Sequence, residues 1–180
     1  MNFRLFSGLC ITLVISLSVP VALAHGPTPK RSTQSINIDA TPDKVWAVVS
    51  AYTDIYQWHP DISTSSSDKG DERGSERRIT FTSGGHLTDN LDVHDSGRKV
   101  IAWRLLYEDV AVFPTSSYNM RITVFNSDNG NSRVEWNAVF FRGDTHNEPP
   151  EHLSDEAAIK AVTAFQNSGL QALKARLESP

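Results

Sequence analysis

Apolar residues recur along this chain with two periods, and the switch between them marks its organisation. From Ser154 to Leu177 the residues Ile159, Val162, Phe165, Gly169, Leu170, Leu173 and Leu177 return every three or four positions, while Lys160, Gln166, Asn167, Gln171 and Lys174 fall mostly elsewhere. That spacing predicts one long amphipathic helix. Ser154 offers an N-cap hydroxyl, Asp155 and Glu156 sit at the positive end of the helix dipole, and Lys174 and Arg176 sit near the negative end. A helix of about 24 residues is about 36 Å long and needs a broad surface to lie on. Gly169, on the apolar stripe, costs roughly 1 kcal/mol against Ala. It predicts a close approach of the helix to the layer beneath.

Upstream the period falls to two. Ile36 and Ile38 form a short strand. Thr41, Pro42 and Asp43 then open a helix whose buried side is Val45, Trp46, Val48 and Val49. Tyr52, Ile55, Tyr56 and Trp58 continue as an aromatic stretch that His59-Pro60 ends, and Ser63 to Gly74 is polar, a loop or a poorly covered edge. Five strands follow: Ile79 with Phe81; Leu87, Leu91 and Val93, with Asp89 on their face; Ile101, Trp103, Leu105 and Tyr107; Tyr118, Met120, Ile122 and Val124; and Val134, Trp136, Ala138 and Phe140. Such succession indicates an antiparallel meander. For the first hairpin, a three-residue loop that sets Phe81 opposite Asp89 and Ile79 opposite Leu91 keeps one face toward the core. The whole predicts a two-layer α+β domain over residues 34–178, a curved antiparallel sheet wrapped around the long C-terminal helix.

Residues 1–24 read as a cleaved signal peptide, with Arg4 in the n-region, an apolar run from Leu5 to Val19 and Ala22-Leu23-Ala24 as the cleavage site. Residues 25–33 read as a flexible leader. The mature chain is expected to be exported, with no membrane span after cleavage. Its only cysteine, Cys10, goes with the signal, so no disulfide or thiolate-bound metal is expected. The full chain carries a net charge of −4, and losing Arg4 makes the mature domain one unit more acidic, which argues against nucleic acid as a partner. Cleavage exposes His25, a possible copper chelator, but His59, His86, His94, His146 and His152 show no ligand spacing, so no metal site is expected.

The order strand, helix, meander, helix resembles the START-like, or polyketide cyclase (SRPBCC), superfamily with its helix-grip fold. The resemblance rests on Ile38-Asp39-Ala40-Thr41-Pro42-Asp43-Lys44-Val45-Trp46, Trp58-His59-Pro60, Gly74-Ser75-Glu76-Arg77, Gly85 to Leu91, and Tyr118, Val134 and Trp136. The segments His25-Gly26-Pro27-Thr28-Pro29, Arg142-Gly143-Asp144-Thr145 and Pro149-Pro150-Glu151 are similar to the MxaD-type periplasmic proteins of methanol-oxidising bacteria. That resemblance implies a periplasmic, non-catalytic accessory of methanol dehydrogenase and its cytochrome c acceptor, without a cofactor of its own.

The scaffold implies a cavity between sheet and helix. By strand parity and helix face its wall candidates are Trp58, His59, Arg77, Phe81, Asp89, Trp103, Tyr107, Tyr118, Trp136, Phe140 and Phe165, a set suited to a small hydrophobic ligand or simply to a packed core. Arg77 and Asp89, if both point inward, must pair, because neither charge can be buried alone. No nucleophile elbow or Ser-His-Asp order is present, so no catalytic residue is assigned; a cyclase- or hydrolase-like enzyme would have to use His59, Arg77 and Asp89. Phe113, Arg142, Asp144, Glu148 and Glu151 are the candidates for a partner surface.

Overall fold

The computed structural model describes residues 26–179; the expected signal peptide and His25 lie outside them. Seven strands form one antiparallel sheet: β1 Lys30–Ile38, β2 Ile62–Ser67, β3 Glu76–Phe81, β4 His86–Asp95, β5 Val100–Tyr107, β6 Thr115–Asn126 and β7 Ser132–Arg142. Their spatial order is β1-β7-β6-β5-β4-β3-β2, so the meander runs unbroken from β2 to β7 and the first strand closes onto the last. Helix α1, Pro42–Val49, is capped by Thr41, and a 3-10 helix, Tyr52–Gln57, follows it. Helix α2, Asp155–Glu178, starts where Ser154 Oγ accepts the Ala157 N–H at 3.2 Å. This is the α+β helix-grip architecture.

Five local expectations need correction. The first strand begins at Lys30, inside the stretch read as leader. It pairs with β7 from Lys30 opposite Phe140 to Ile38 opposite Ser132. Its inward residues at the start are polar, Ser32 and Gln34, which hid its alternation. Ser32 Oγ donates to Gln166 Oε1 at 2.6 Å, and Gln166 Nε2 donates to the Trp136 carbonyl at 2.9 Å. Gln166 therefore lies fully buried on the gripped face of α2, as a polar strut between β1 and β7, whereas Ile159 is exposed. The polar run after Trp58 supplies the edge strand β2.

The first hairpin has a three-residue loop, but at Thr82-Ser83-Gly84, two residues earlier than expected. Phe81 N–H donates to Gly85 O at 3.1 Å, and Gly84 and Gly85 both take positive φ, +93° and +75°. A residue with a side chain is strained there. The resulting register sets Arg77 opposite Asp89 and Ile79 opposite Leu87. Two bulges in the β4–β5 ladder then break simple parity. One places Thr88 opposite Tyr107 and Asp89 opposite Leu105, skipping Leu106; Tyr107 is thereby turned outward and is 67% exposed, so it is not a cavity residue. The other skips Asp92 and turns Val93 to the outer face, opposite Ala102. An inserted residue reverses the facing of everything beyond it.

The inner face carries Ile79, Leu87, Leu91, Trp103, Tyr118, Met120, Ile122, Val134, Trp136, Ala138 and Phe140 against Val162, Phe165, Leu170 and Leu173 of α2. Gly169 is where the layers come closest. A Cβ there would stand 2.6 Å from His59 Cδ2 and 2.8 Å from Trp136 Cζ3. On an open helix face Gly→Ala stabilises by about 1 kcal/mol. Here Gly169→Ala should instead destabilise by about 1–2 kcal/mol, because two packed rings must shift. A lowered urea midpoint at unchanged slope is the expected readout; a raised midpoint contradicts the close approach.

Candidate functional site

The space between sheet and α2 holds a buried ionic group and a continuous set of rings. Arg77 and Asp89 face each other across β3 and β4 and are 2% and 0% exposed. Arg77 Nη2 donates to Asp89 Oδ2 at 2.8 Å, and Nη1 donates to the Tyr52 carbonyl at 2.7 Å. Tyr118 donates its hydroxyl to Asp89 Oδ1. The guanidinium carbon lies 3.8 Å from the Tyr52 ring centroid and 5.2 Å from that of Trp103. Burial pushes the Asp89 carboxyl up, opposed by the charge of Arg77 and by hydrogen bonds from Arg77 and Tyr118. Tyr118 is raised well above the usual phenol range by burial and then by Asp89. Burial raises Tyr52 too, against the pull of Arg77. Removing one partner of such a pair typically costs about 3–5 kcal/mol, since the other is left charged and dry.

From this group the rings run on without a break. Trp103 packs on Trp136 with centroids 5.9 Å apart, and Trp136 on Trp58 at 6.1 Å and Phe165 at 5.5 Å. His59 stacks on Phe165 at 3.9 Å. Its Nδ1 receives the Asp61 backbone N–H at 3.3 Å, so the ring proton belongs on Nε2, which donates to the Phe165 carbonyl at 3.0 Å. Burial lowers the His59 imidazole to about 4. Both nitrogens serve the fold, clamping the Trp58-His59 corner to mid-α2. Phe140 is fully buried behind these rings.

Four buried polar atoms in this cluster have no hydrogen-bond partner among the described residues: Tyr52 Oη, Trp58 Nε1, Arg77 Nε and Trp136 Nε1. All are donors, and three cannot accept. The other unpaired buried side-chain atoms, on Ser65, Thr115 and Asp155, belong to separate elements and are all oxygens.

A pocket opens at one end of the grip. Phe81, Thr82, Ser83, Val112, Phe113, Ala161 and Phe165 line a pocket of about 260 Å³ there. Phe113 packs against Phe81 at 5.9 Å, Phe165 at 5.6 Å and Tyr118 at 6.0 Å. It is only 4% exposed, so it is a plug and not part of a partner surface. The turn explains the inversion: the N–H groups of Val112 and Phe113 both donate to the Asp109 carbonyl, at 3.0 and 2.9 Å, folding the side chain back inward. Gly85 abuts Val112, leaving no room for a Cβ and seating this segment on the first hairpin.

The remaining surface candidates divide. Arg142 Nε donates to the Asp144 carbonyl at 2.7 Å and Nη2 to that of His146 at 2.6 Å, while Asp144 Oδ1 accepts the His146 N–H at 2.8 Å. Arg142 and Asp144 therefore brace their own loop, and Glu148 and Glu151 stand exposed. Tyr52 and the inward turn of Phe113 escaped the sequence reading, because a 3-10 turn and a proline-flanked loop have no periodicity. Among the described residues no group of three His, Cys, Asp or Glu is arranged to hold a metal, and no helix is long and apolar enough to cross a membrane.

A curved sheet gripping a terminal helix over an aromatic interior defines a ligand-binding class of fold. The chain belongs to the polyketide cyclase / dehydrase and lipid transport family, which matches residues 29–178. Among solved structures it is similar to the protein XoxI from Bacillus cereus, at 25% identity over 82% of this chain and 94% of that one, with a TM-score of 0.69. An uncharacterised protein from Bacillus thuringiensis has 24% identity over 83% of this chain and all of that one, TM-score 0.70. The Zhui aromatase/cyclase from Streptomyces sp. R1128 shares the fold at 17% identity over 84% and 94%, TM-score 0.67. No curated protein matches the chain.

The His59 geometry makes a pH prediction. Its folded-state value near 4 lies below the ordinary 6.5, so on acidification the unfolded chain takes the proton first. Stability contributed by the neutral ring is complete above pH 6.5 and is lost as pH falls to 4, by roughly 3 kcal/mol. The difference between unfolding free energies of wild type and His59→Gln should shrink over that window. A difference that stays flat from pH 7 to 4 contradicts a neutral, doubly bonded ring.

Proposed function

We propose that this protein binds and carries a small, largely aromatic or apolar molecule bearing oxygen acceptors, held between the sheet and α2. One observation carries the reading: four unpartnered donors, on Tyr52, Trp58, Arg77 and Trp136, share one aromatic interior. A donor left dry costs about 1–3 kcal/mol, so a cluster of four is an expensive way merely to fill a core. A carbonyl or ether oxygen among them satisfies what the fold does not, and the ring faces take the apolar body. Admission requires Phe113 to swing out of the mouth. Carriage is favoured over catalysis because both nitrogens of His59 are engaged, as are both oxygens of Asp89.

The test joins stability to binding. Native mass spectrometry of protein taken from its own compartment should show a bound small molecule. Added back to stripped protein, that molecule should quench the fluorescence of the three interior tryptophans, Trp58, Trp103 and Trp136. Tyr52→Phe removes one dry hydroxyl and should raise the stability of the empty protein by about 1 kcal/mol while weakening binding about tenfold. An empty protein whose Tyr52→Phe variant is less stable excludes the reading.

We further propose that the mature protein is exported to the periplasm and assists methanol dehydrogenase and its cytochrome c. The targeting segment and the MxaD-like segments His25–Pro29 and Arg142–Glu151 support this reading, and the exposed Glu148 and Glu151 are its contact candidates. Adding purified protein should change the rate of electron transfer from the dehydrogenase to the cytochrome, and Glu148→Gln with Glu151→Gln should abolish the change. An unaltered rate with no complex at low salt rejects it.

A further inference from the structure

The outer face of the sheet carries a hollow separate from the gripped interior. The bulge at Asp92 starts it. Without that extra residue Val93 would follow Leu91 inward; with it, Val93 turns to solvent opposite Ala102. Ala102 in turn lies opposite Arg121, and Arg121 opposite Asn137. The single carbon of Ala102 between two larger neighbours leaves a depression of about 330 Å³, lined by Val93, Ala102 and Val139 with Asn119, Asn137, Arg121 and the Arg104-paired Asp92 around them, and Trp103, Met120 and Ala138 in its floor. Its lining is mainly apolar, on a sheet face where solvated strands ordinarily place polar residues. The volume falls within the range of small-molecule pockets.

Charge adds a second, independent feature. Outward-facing Arg31, Arg78, Arg104, Arg121 and Arg133 share this face with Glu76, Asp92, Asp95 and Glu135. Asp92 is paired with Arg104, and Glu135 with Arg133 at 2.7 Å. Among the described residues Arg31 and Arg121 form no ion pair and the Asn119 side chain no hydrogen bond. A chain that is acidic overall thus presents uncompensated guanidinium groups beside an apolar depression. An unpaired guanidinium fork of this kind recognises a carboxylate through two parallel N–H···O bonds.

We propose that this hollow is a second binding site, for a small planar carboxylate. The apolar ring system would lie over Val93, Ala102 and Val139, and the carboxylate would take the Arg121 guanidinium with the Asn119 amide beside it. The site is distinct from the interior, because the side chains of Trp103, Met120 and Ala138, whose strands form its floor, are buried in the core cluster.

The experiment is an NMR titration of isotopically labelled protein with 2-naphthoate, and with 2-naphthamide as the neutral control. Saturable shifts are expected at the amides of Ala102, Asn119, Arg121 and Val139. Arg121→Gln should weaken 2-naphthoate about tenfold and leave 2-naphthamide nearly unchanged. Ala102→Leu, which fills the floor, should abolish saturable binding of both, with unfolding midpoints confirming that each variant is folded. The site is refuted by the absence of saturable shifts there, by shifts confined to the interior residues Trp58 and Phe165, or by Arg121→Gln binding 2-naphthoate as tightly as wild type.

Discussion

The closeness of α2 to the sheet at Gly169 governs this structure. A 24-residue helix laid across seven strands can be gripped only where one residue gives up its side chain, and the rings of His59 and Trp136 occupy the space so released. From that contact the other features follow. His59 reaches the Phe165 carbonyl because the helix is near enough, and Gln166, one residue on, ties β1 to β7 through Ser32 and the Trp136 carbonyl. The interior is consequently narrow, and flat aromatic side chains fill it.

That narrow interior is also more polar than its lining suggests. Arg77 and Asp89 are matched by the β3–β4 register, and Tyr118 completes the carboxylate. Yet the match stops short: Arg77 Nε and the Tyr52 hydroxyl remain unpaired beside it. Replacing a buried ion pair with apolar residues is often neutral or stabilising. Its presence here, with spare donors next to it, is better explained by a demand from outside the fold than by stability. Phe113, on a turn that closes on Asp109, packs its ring on Phe81, Tyr118 and Phe165 at one end of the core.

How much of this the sequence disclosed depended on periodicity. The long helix, its Ser154 cap, the meander and the closeness at Gly169 were legible because each imposes a regular spacing or a residue type. That Arg77 and Asp89 must pair if both face inward was legible because a charge cannot be buried unpaired, but the expected register set Phe81 opposite Asp89 and so missed their alignment. What failed was parity beyond an irregularity. Tyr107 and Val93 were misassigned because bulges carry no sequence mark that alternation can detect. Phe113 was misassigned because a turn decides its direction, and Ser32 and Gln166 because a buried polar pair mimics a solvated face. Two of these exceptions, Phe113 and Val93, line the end pocket and the outer hollow.

The pairing of β1 with β7 bears on how the chain acquires its shape. The first strand finds its partner only among residues about a hundred positions downstream, and α2 seals both of them later still. Contacts so distant in sequence make formation slow and keep it from starting near the N-terminus. A nascent chain can therefore form the successive hairpins of β2 to β7 early, but the strand at its start waits unpaired until β7 has been made and the grip stays open until α2 follows.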